Sequence, residues 1–177
     1  MAVADVEGKM HRPLADAGQV ATVLFFVLHD CPISNGYAPE ISRIAQEYAA
    51  RGVRSFVVYG EGDLAPEEAR KHARDFGYRC PALLDPPHAL ARLAGATVAP
   101  EAAVISAKRE VLYRGRIDDR AASLGVHRAE PRERDLRAAL DAILAGKPVR
   151  ERFTKAIGCQ RRETAETSAP PQPSAPL

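Results

Sequence analysis

The sequence VLFFVLHDCPIS, residues 23–34, joins an unbroken apolar run to a cysteine followed by a proline. Six consecutive apolar, β-prone side chains predict a strand that is covered on both faces. From Tyr37 onward, apolar side chains recur with the spacing of one helix face. Cys31 therefore lies at a strand-to-helix turn, where first-turn amides and the helix dipole favour the thiolate, the reactive form of cysteine.

Composition narrows the classes of function. The chain has 177 residues, which is typical of one domain with a proper core. A net charge of +2 without a basic block argues against a nucleic-acid partner. No apolar run is long enough to cross a bilayer, and the first twenty residues carry acids where a signal peptide would be apolar. We therefore expect a cytoplasmic protein without a membrane partner.

The further elements follow from apolar spacing and from glycine and proline breaks. They are, in chain order, a strand at 53–59, a helix at 66–76, a short strand at 81–85, a short helix at 88–93, a hairpin formed by 102–106 and 110–113, and a helix at 135–144. This order predicts an α/β domain over residues 1–150, with a mixed sheet and helices on both faces. We expect residues 151–163 to form an arm that carries Cys159, and the Pro/Ser/Ala-rich residues 164–177 to form a disordered tail.

Several motifs resemble those of the thioredoxin fold. Cys31-Pro32-Ile33-Ser34 is followed by Ala38-Pro39, as in the thioredoxin active turn and helix. The segment GATVAP, residues 95–100, resembles the thioredoxin segment that ends in a cis proline next to the active sulfur. Residues 135–145 resemble the last thioredoxin helix. The extra residues before Pro100 predict an inserted helix, strand and helix, as in the peroxiredoxin and redoxin branch.

More narrowly, the chain resembles a bacterial, peroxiredoxin-like branch of the alkyl hydroperoxide reductase/thiol-specific antioxidant relatives. The supporting motifs are Cys31-Pro32, YRGRIDD at 113–119 and IGC at 157–159. The resemblance implies a thiol oxidoreductase or antioxidant protein that needs no cofactor. Cys31 would attack a peroxide or a disulfide, and an external thiol of the thioredoxin or glutathione type would supply electrons.

Two departures from these families restrict the chemistry. Ser34 stands where thioredoxins have their second cysteine, so a disulfide within the turn is impossible. Leu24 and Leu28 stand where peroxidase members carry proline and threonine, and the threonine hydroxyl helps hold the peroxide and the thiolate. A binding module without turnover, for copper(I) or a partner protein, is therefore the alternative function.

The candidate site residues each have a second, structural interpretation. Cys31 is a reactive thiol or a small buried hydrophobe. Ser34 caps the helix or donates a hydrogen bond to the thiolate. Pro100 is the cis proline of the resemblance or an ordinary loop proline. Arg116 stabilises the thiolate by charge, with Asp118 or Asp119 relaying a proton, or belongs to a surface ion-pair cluster.

The roles of the other two cysteines, Cys159 and Cys80, are also open. Cys159 is a resolving cysteine on the arm or a stray exposed thiol. Cys80, just before Pro81, most simply packs at the start of the inserted strand. We predict no metal, although Cys31 and Cys159 with His29, His88 or His127 would suit copper(I).

Overall fold

The structure, a computed structural model, describes residues 1–14 and 18–161. The predicted tail at 164–177 and the end of the predicted arm lie outside the described residues. The strands are β1 Val3–Ala4, β2 Met10–His11, β3 Ala21–Val27, β4 Val53–Tyr59, β5 Ala82–Leu84, β6 Val98–Ala99, β7 Glu101–Ser106, β8 Val111–Gly115, β9 Ala121–Ser123, β10 Val126–His127 and β11 Cys159–Gln160.

The helices are α1 Pro32–Gly36, α2 Ala38–Ala49, α3 Pro66–Asp75, α4 Ala89–Ala94 and α5 Asp135–Leu144. The predicted bounds of the strand at 53–59 and the helix at 135–144 are confirmed. The helix after Cys31 is divided at Tyr37, because Pro39 lacks a backbone N–H and suits the first turn of a new helix. The inserted helix, strand and helix are α3, β5 and α4.

The central sheet has five strands in the order β5-β4-β3-β7-β8. β3 pairs with β4 in parallel, while β7 and β8 run antiparallel to their neighbours. All seven residues of β3 are buried, as the unbroken apolar run predicts. The sheet is therefore mixed, and the predicted α/β thioredoxin-like fold is confirmed.

Helices cover the two faces of the sheet because successive β3 side chains point to opposite sides. Val23 and Phe25 pack with apolar residues of α2 and α5, including Ile41 and Leu136. On the other face, Leu24 and Phe26 pack with α4, where Leu90 is fully buried. Among the described residues, no helix is long and apolar enough to cross a membrane.

The strand register brings the start of β7 to the end of β3. Phe26 pairs with Glu101, so Pro100, one residue earlier, lies beside the turn that follows β3. β8 returns antiparallel, and its last residue, Gly115, pairs with Ala102. The segment after Tyr113 therefore approaches Pro100.

We expect the α5 contact with the sheet to stabilise the fold strongly. Leu136 is fully buried, whereas Leu144 in the same helix is only half-buried. Leu136→Ala should lower the free energy of unfolding by about 2–5 kcal/mol, because it removes buried methyl groups and leaves a cavity. Leu144→Ala is the matched control and should cost less. Urea unfolding of both variants measures the difference, and equal losses would contradict this packing.

Candidate active site

Cys31 occupies the turn between β3 and α1 and is only 1% exposed. Its backbone is extended, and Pro32 fills the first turn of α1. The Cys31 carbonyl accepts the first helical hydrogen bond, from the Asn35 N–H at 2.9 Å. Leu28 and Ala99 surround the side chain with apolar atoms. The residue therefore combines the burial of a small hydrophobe with the helix-start position that favours a thiolate.

Cys31 is joined to Cys159 by a disulfide, with Cα atoms 6.2 Å apart and 128 positions between them in sequence. The arm reaches Cys31 by forming β11, which pairs antiparallel with β6 so that Cys159 lies opposite Ala99. The Ala99–Pro100 peptide bond that follows is cis, as the resemblance implied. The Cys31 Sγ lies 3.5 Å from the Ala99 carbonyl oxygen. The two sulfurs and the cis proline thus form one compact site.

Gly158 permits the arm to lie this close to β6. A Cβ atom at this position would come within 2.1 Å of the Ala99 carbonyl oxygen and 2.5 Å of its carbonyl carbon. Backbone atoms paired in a strand cannot move away cheaply, so a side chain at 158 would displace the arm. Position 158 of the Ile157-Gly158-Cys159 motif therefore has no room for a side chain. The sequence motif by itself did not show why a glycine stands there.

Ser34 lies in α1, three residues after Cys31, and is fully buried. Cys31, not Ser34, is the N-cap residue of α1, so the capping interpretation of Ser34 is wrong. Instead, the Ser34 Oγ accepts a hydrogen bond from the Leu28 backbone N–H at 3.3 Å. This bond ties the end of β3 to α1 and stabilises the turn that carries Cys31. Donation from Ser34 to a Cys31 thiolate stays a prediction.

Arg116 follows β8 and lines a small recess together with Pro100 and Tyr37. Its guanidinium donates two hydrogen bonds to the Asp135 carboxylate, at 2.7 and 3.1 Å. This partner raises the pKa of Arg116. Arg116 is thus near the cis proline as predicted, but its charge is directed to the start of α5. The geometry favours the ion-pair interpretation over electrostatic support of the thiolate.

The two aspartates after Arg116 also make structural bonds. Asp118 accepts a 2.6 Å hydrogen bond from the Tyr37 hydroxyl. Asp119 accepts hydrogen bonds from the backbone N–H groups of Arg132 and Glu133, at 2.7 and 2.9 Å. Both carboxylates are buried and hold loops in place. A proton relay through either of them has no support from these contacts.

His29 forms an ion pair with Glu61 that no pattern in the sequence predicts. Its Nδ1 lies 2.6 Å from Glu61 Oε1, and its backbone N–H donates to the same oxygen at 3.0 Å. Burial opposes charge on the imidazole, but the Glu61 carboxylate outweighs it and raises the pKa of His29. With Asp30, these residues offer ligand atoms within 4.8 Å of one another, so within the described part of the chain they form a group that could hold a cation.

The copper(I) hypothesis needed both Cys31 and Cys159 as ligands. Their sulfurs are bonded to each other here, and His29 is paired with Glu61. Cys80 is a free thiol whose burial raises its pKa to about 12. A thiol of that kind stays protonated at neutral pH and is unreactive, which agrees with a packing role.

The fold and the sulfur pair define a thioredoxin-fold protein with a redox-active disulfide next to a cis proline. A family model described as Redoxin matches residues 11–129. The chain belongs to the Redoxin family. A comparison with curated proteins found no match.

Solved structures with the same fold include two close in length to this chain. An uncharacterised conserved protein from Geobacillus kaustophilus is 29% identical, with a TM-score of 0.77 over 96% of this chain and 90% of its own. A hypothetical protein from Sinorhizobium meliloti is 24% identical, with a TM-score of 0.77 over 93% and 91%. A secreted disulfide oxidoreductase of Mycobacterium tuberculosis is 14% identical, with a TM-score of 0.55 over 82% and 95%. The last two likenesses show the fold alone.

The His29–Glu61 pair predicts a pH dependence of stability. Because the pKa of His29 is raised above 6.5 in the folded protein, the charged imidazole stabilises the fold fully below that value. This contribution is lost as the pH rises through the folded pKa. We expect the wild type to exceed Glu61→Gln in stability by more at about pH 5.5 than at about pH 9.

The same variants allow a direct titration by NMR. The His29 midpoint should lie above 6.5 in the wild type and move down in Glu61→Gln. Asp30→Asn is the matched control, because Asp30 acts on His29 only through its charge and should move the midpoint less. A midpoint that does not respond to Glu61→Gln would contradict the ion pair.

Proposed function

We propose that this protein is a thiol oxidoreductase in which Cys31 is the nucleophile and Cys159 the resolving cysteine. The observation that carries the proposal is the Cys31–Cys159 disulfide beside cis-Pro100. A stray surface thiol would not be placed by a strand pairing and a required glycine against a buried cysteine. Membership of the Redoxin family supports the same chemistry.

Both candidate oxidants lead to this disulfide. The Cys31 thiolate attacks one oxygen of a peroxide, expels the alkoxide or hydroxide, and becomes a sulfenic acid. The Cys159 thiolate then attacks the Cys31 sulfur, and the sulfenic oxygen leaves as water after taking a proton. With a disulfide substrate, Cys31 forms a mixed disulfide and releases one thiolate. Attack by Cys159 on the Cys31 sulfur then releases the second thiolate.

The cycle closes when an external thiol reduces the disulfide. Its thiolate can reach Cys159, which is partly exposed, but not the buried Cys31. Attack on Cys159 breaks the S–S bond and expels Cys31 as a thiolate into the turn that favours it. A second thiol from the reductant then frees Cys159. We propose a reductant of the thioredoxin or glutathione type.

The choice between oxidants rests on the residues around Cys31. Leu28 packs against Cys31 at the position where peroxidase relatives carry threonine, and it offers no hydroxyl to a bound peroxide. This contact favours disulfide exchange over peroxide reduction.

We also propose that the protein belongs to the peroxiredoxin-like branch, that it has an antioxidant role and that it is located in the cytoplasm.

The proposal predicts the fate of each cysteine after one equivalent of hydrogen peroxide or of a small disulfide. We expect a peptide that links Cys31 to Cys159 in mass-spectrometric mapping without reduction. Cys31→Ser should abolish turnover of both oxidants, whereas Cys80→Ser should leave turnover unchanged. Cys31 should also react rapidly with an alkylating agent near pH 6, where an ordinary thiol, with a pKa of about 8.5, is almost silent.

Other outcomes would redirect the proposal. Cys31 oxidised without a link to Cys159 would indicate chemistry with one cysteine. A slow Cys31 thiol and full turnover in Cys31→Ser would refute the enzyme and favour the binding module.

Ser34 gives a finer prediction about the reduced turn. We propose that its hydroxyl, which accepts from the Leu28 N–H, donates its proton to the Cys31 thiolate. Ser34→Ala should then lower the alkylation rate of Cys31 at pH 6 by about tenfold, because a hydrogen bond to a charged group is lost. The rate at high pH should not change. Ser42→Ala is the matched control, since Ser42 bonds to the Gly77 carbonyl instead. An unchanged rate at pH 6 would contradict the donation.

A further inference from the structure

The arm is fixed to the body of the protein well before it reaches Cys159. The Arg114 N–H donates to the Arg152 carbonyl at 2.8 Å, and the Thr154 N–H donates to the Arg114 carbonyl at 3.1 Å. Phe153 lies between these two bonds, bridged in parallel to Arg114. The base of the arm is therefore a short extension of the sheet along β8.

The Thr154 side chain completes this attachment. The Tyr113 hydroxyl donates to the Arg116 carbonyl at 2.7 Å and lies 2.7 Å from Thr154 Oγ1. Since Tyr113 has one proton, Thr154 must donate to Tyr113. Thr154 Oγ1 in turn accepts from the Arg116 N–H at 3.0 Å. Burial raises the pKa of Tyr113, so its phenol keeps the proton that this network needs.

Gly115 makes room for the Thr154 side chain. A Cβ atom at Gly115 would lie 2.1 Å from Thr154 Oγ1 and 2.4 Å from its carbonyl oxygen. The backbone of Gly115 also has φ of +152°, which disfavours any residue with a side chain. The glycine after Tyr113-Arg114 thus leaves space for the threonine.

Beyond Thr154, the arm is attached at the redox site and at Arg161, whose N–H and guanidinium donate to the Thr97 and Ala96 carbonyls at 3.5 and 3.2 Å. Gly158 rests on the Ala99 carbonyl, Cys159 pairs with Ala99, and the disulfide joins Cys159 to Cys31. None of the Thr154 bonds involves these residues. Opening the disulfide therefore removes a covalent restraint on residues 155–160 and leaves the Thr154 bonds in place.

We propose that Thr154 is a positioning residue, the fixed pivot from which the arm swings Cys159 on and off Cys31. The inference rests on the proposed redox cycle and adds to it the residue that sets the efficiency of disulfide closure. Thr154 acts on the reaction only through Cys159. Its hydroxyl anchors the start of residues 155–160, so this flexible segment, the tether of Cys159, is short. The Cys159 thiol of the reduced protein therefore stays close to Cys31.

The length of the tether sets the size of the effect. Thr154 lies five positions before Cys159, whereas the end of α5, at Leu144, lies fifteen positions before Cys159. The probability that a flexible segment closes falls as about the 3/2 power of its length. Loss of the whole attachment along β8 would move the pivot from Thr154 to Leu144 and lower the effective concentration of the two thiols by about fivefold, which is the upper limit for a change at Thr154.

The test is the redox equilibrium of the full chain in glutathione buffers, which yields that effective concentration. Thr154→Val keeps the shape of the side chain and removes both hydroxyl bonds but leaves the backbone bonds to Arg114, so we expect a decrease of about two- to fivefold. Thr154→Ser keeps the hydroxyl and should restore the wild-type value. A decrease below twofold in Thr154→Val, or an equal decrease in Thr154→Ser, would overturn the pivot.

A second measurement uses only the wild-type protein and remains decisive if Thr154→Val does not fold. On reduction, NMR relaxation should show residues 155–160 becoming mobile, while the Arg114, Thr154 and Arg116 amides stay protected from hydrogen exchange. Loss of protection at Thr154 together with the arm would overturn the proposal, as would an arm that stays rigid.

Failure of the pivot is distinct from failure of the proposed function. Alkylation of Cys31 near pH 6 and turnover of peroxide or disulfide test the nucleophile in the same samples. An inert Cys31 refutes the redox cycle itself. A reactive Cys31 with an equilibrium that ignores Thr154 refutes only the pivot.

Discussion

The pairing of β3 on both sides is the interaction on which the site depends. β4 runs parallel to it and β7 antiparallel, so the end of β3 and the start of β7 meet at one edge of the sheet. Cys31 follows β3, and Pro100 precedes β7. Backbone hydrogen bonds along fully buried strands are costly to break because water cannot replace them. The backbone pairing of these strands alone therefore fixes the positions of Cys31 and Pro100.

The strand edge next to Pro100 would be open to pairing if the arm did not cover it. β6 ends at Ala99 with backbone groups available for another strand, and an open strand edge is a template for pairing with other chains. β11 covers this edge with the protein's own backbone. The cover requires Gly158, because any side chain there would meet the Ala99 carbonyl. Protection of the edge and delivery of Cys159 are thus one structural feature.

Much of this arrangement is readable from the sequence. The apolar run at 23–28 predicts a strand buried on both faces, and the spacing of apolar residues predicts the hairpin at 102–113. Cys31 was found because it stands at the end of that run, whereas Pro100 was found because residues 95–100 resemble the thioredoxin segment with the cis proline. These signals are local, so one sequence is enough to show them. The pairing of Cys31 with Cys159 was only one of two open interpretations.

The residues that were missed act over long distances in sequence. Glu61 contacts His29 across 32 positions, and Thr154 contacts Tyr113 across 41. Neither residue lies in a periodic pattern, and a glutamate in a loop or a threonine in an irregular segment has many ordinary explanations. One of the two interpretations of Ser34, that it caps the helix, was wrong for a related reason. A serine near a helix start suggests a cap, but Cys31 already occupies that position and the hydroxyl turns back to Leu28.

The proposed cycle places different physical requirements on the two cysteines. One needs a fixed environment and the other needs to move, so a single rigid site cannot satisfy both. A thiolate must be stabilised before it reacts, which requires a fixed environment, and Cys31 has one between β3 and α1. A resolving cysteine must approach and leave, which requires motion, and Cys159 lies near the end of a tethered segment. The folded body brings these distant positions together, so disulfide closure in the folded protein does not carry the entropy cost of closing a 128-residue loop, about 5 kcal/mol for an unfolded chain. Because folding already brings the two cysteines together, the proposed cycle needs only a local movement of the arm, and the sheet that holds Cys31 can keep its packing.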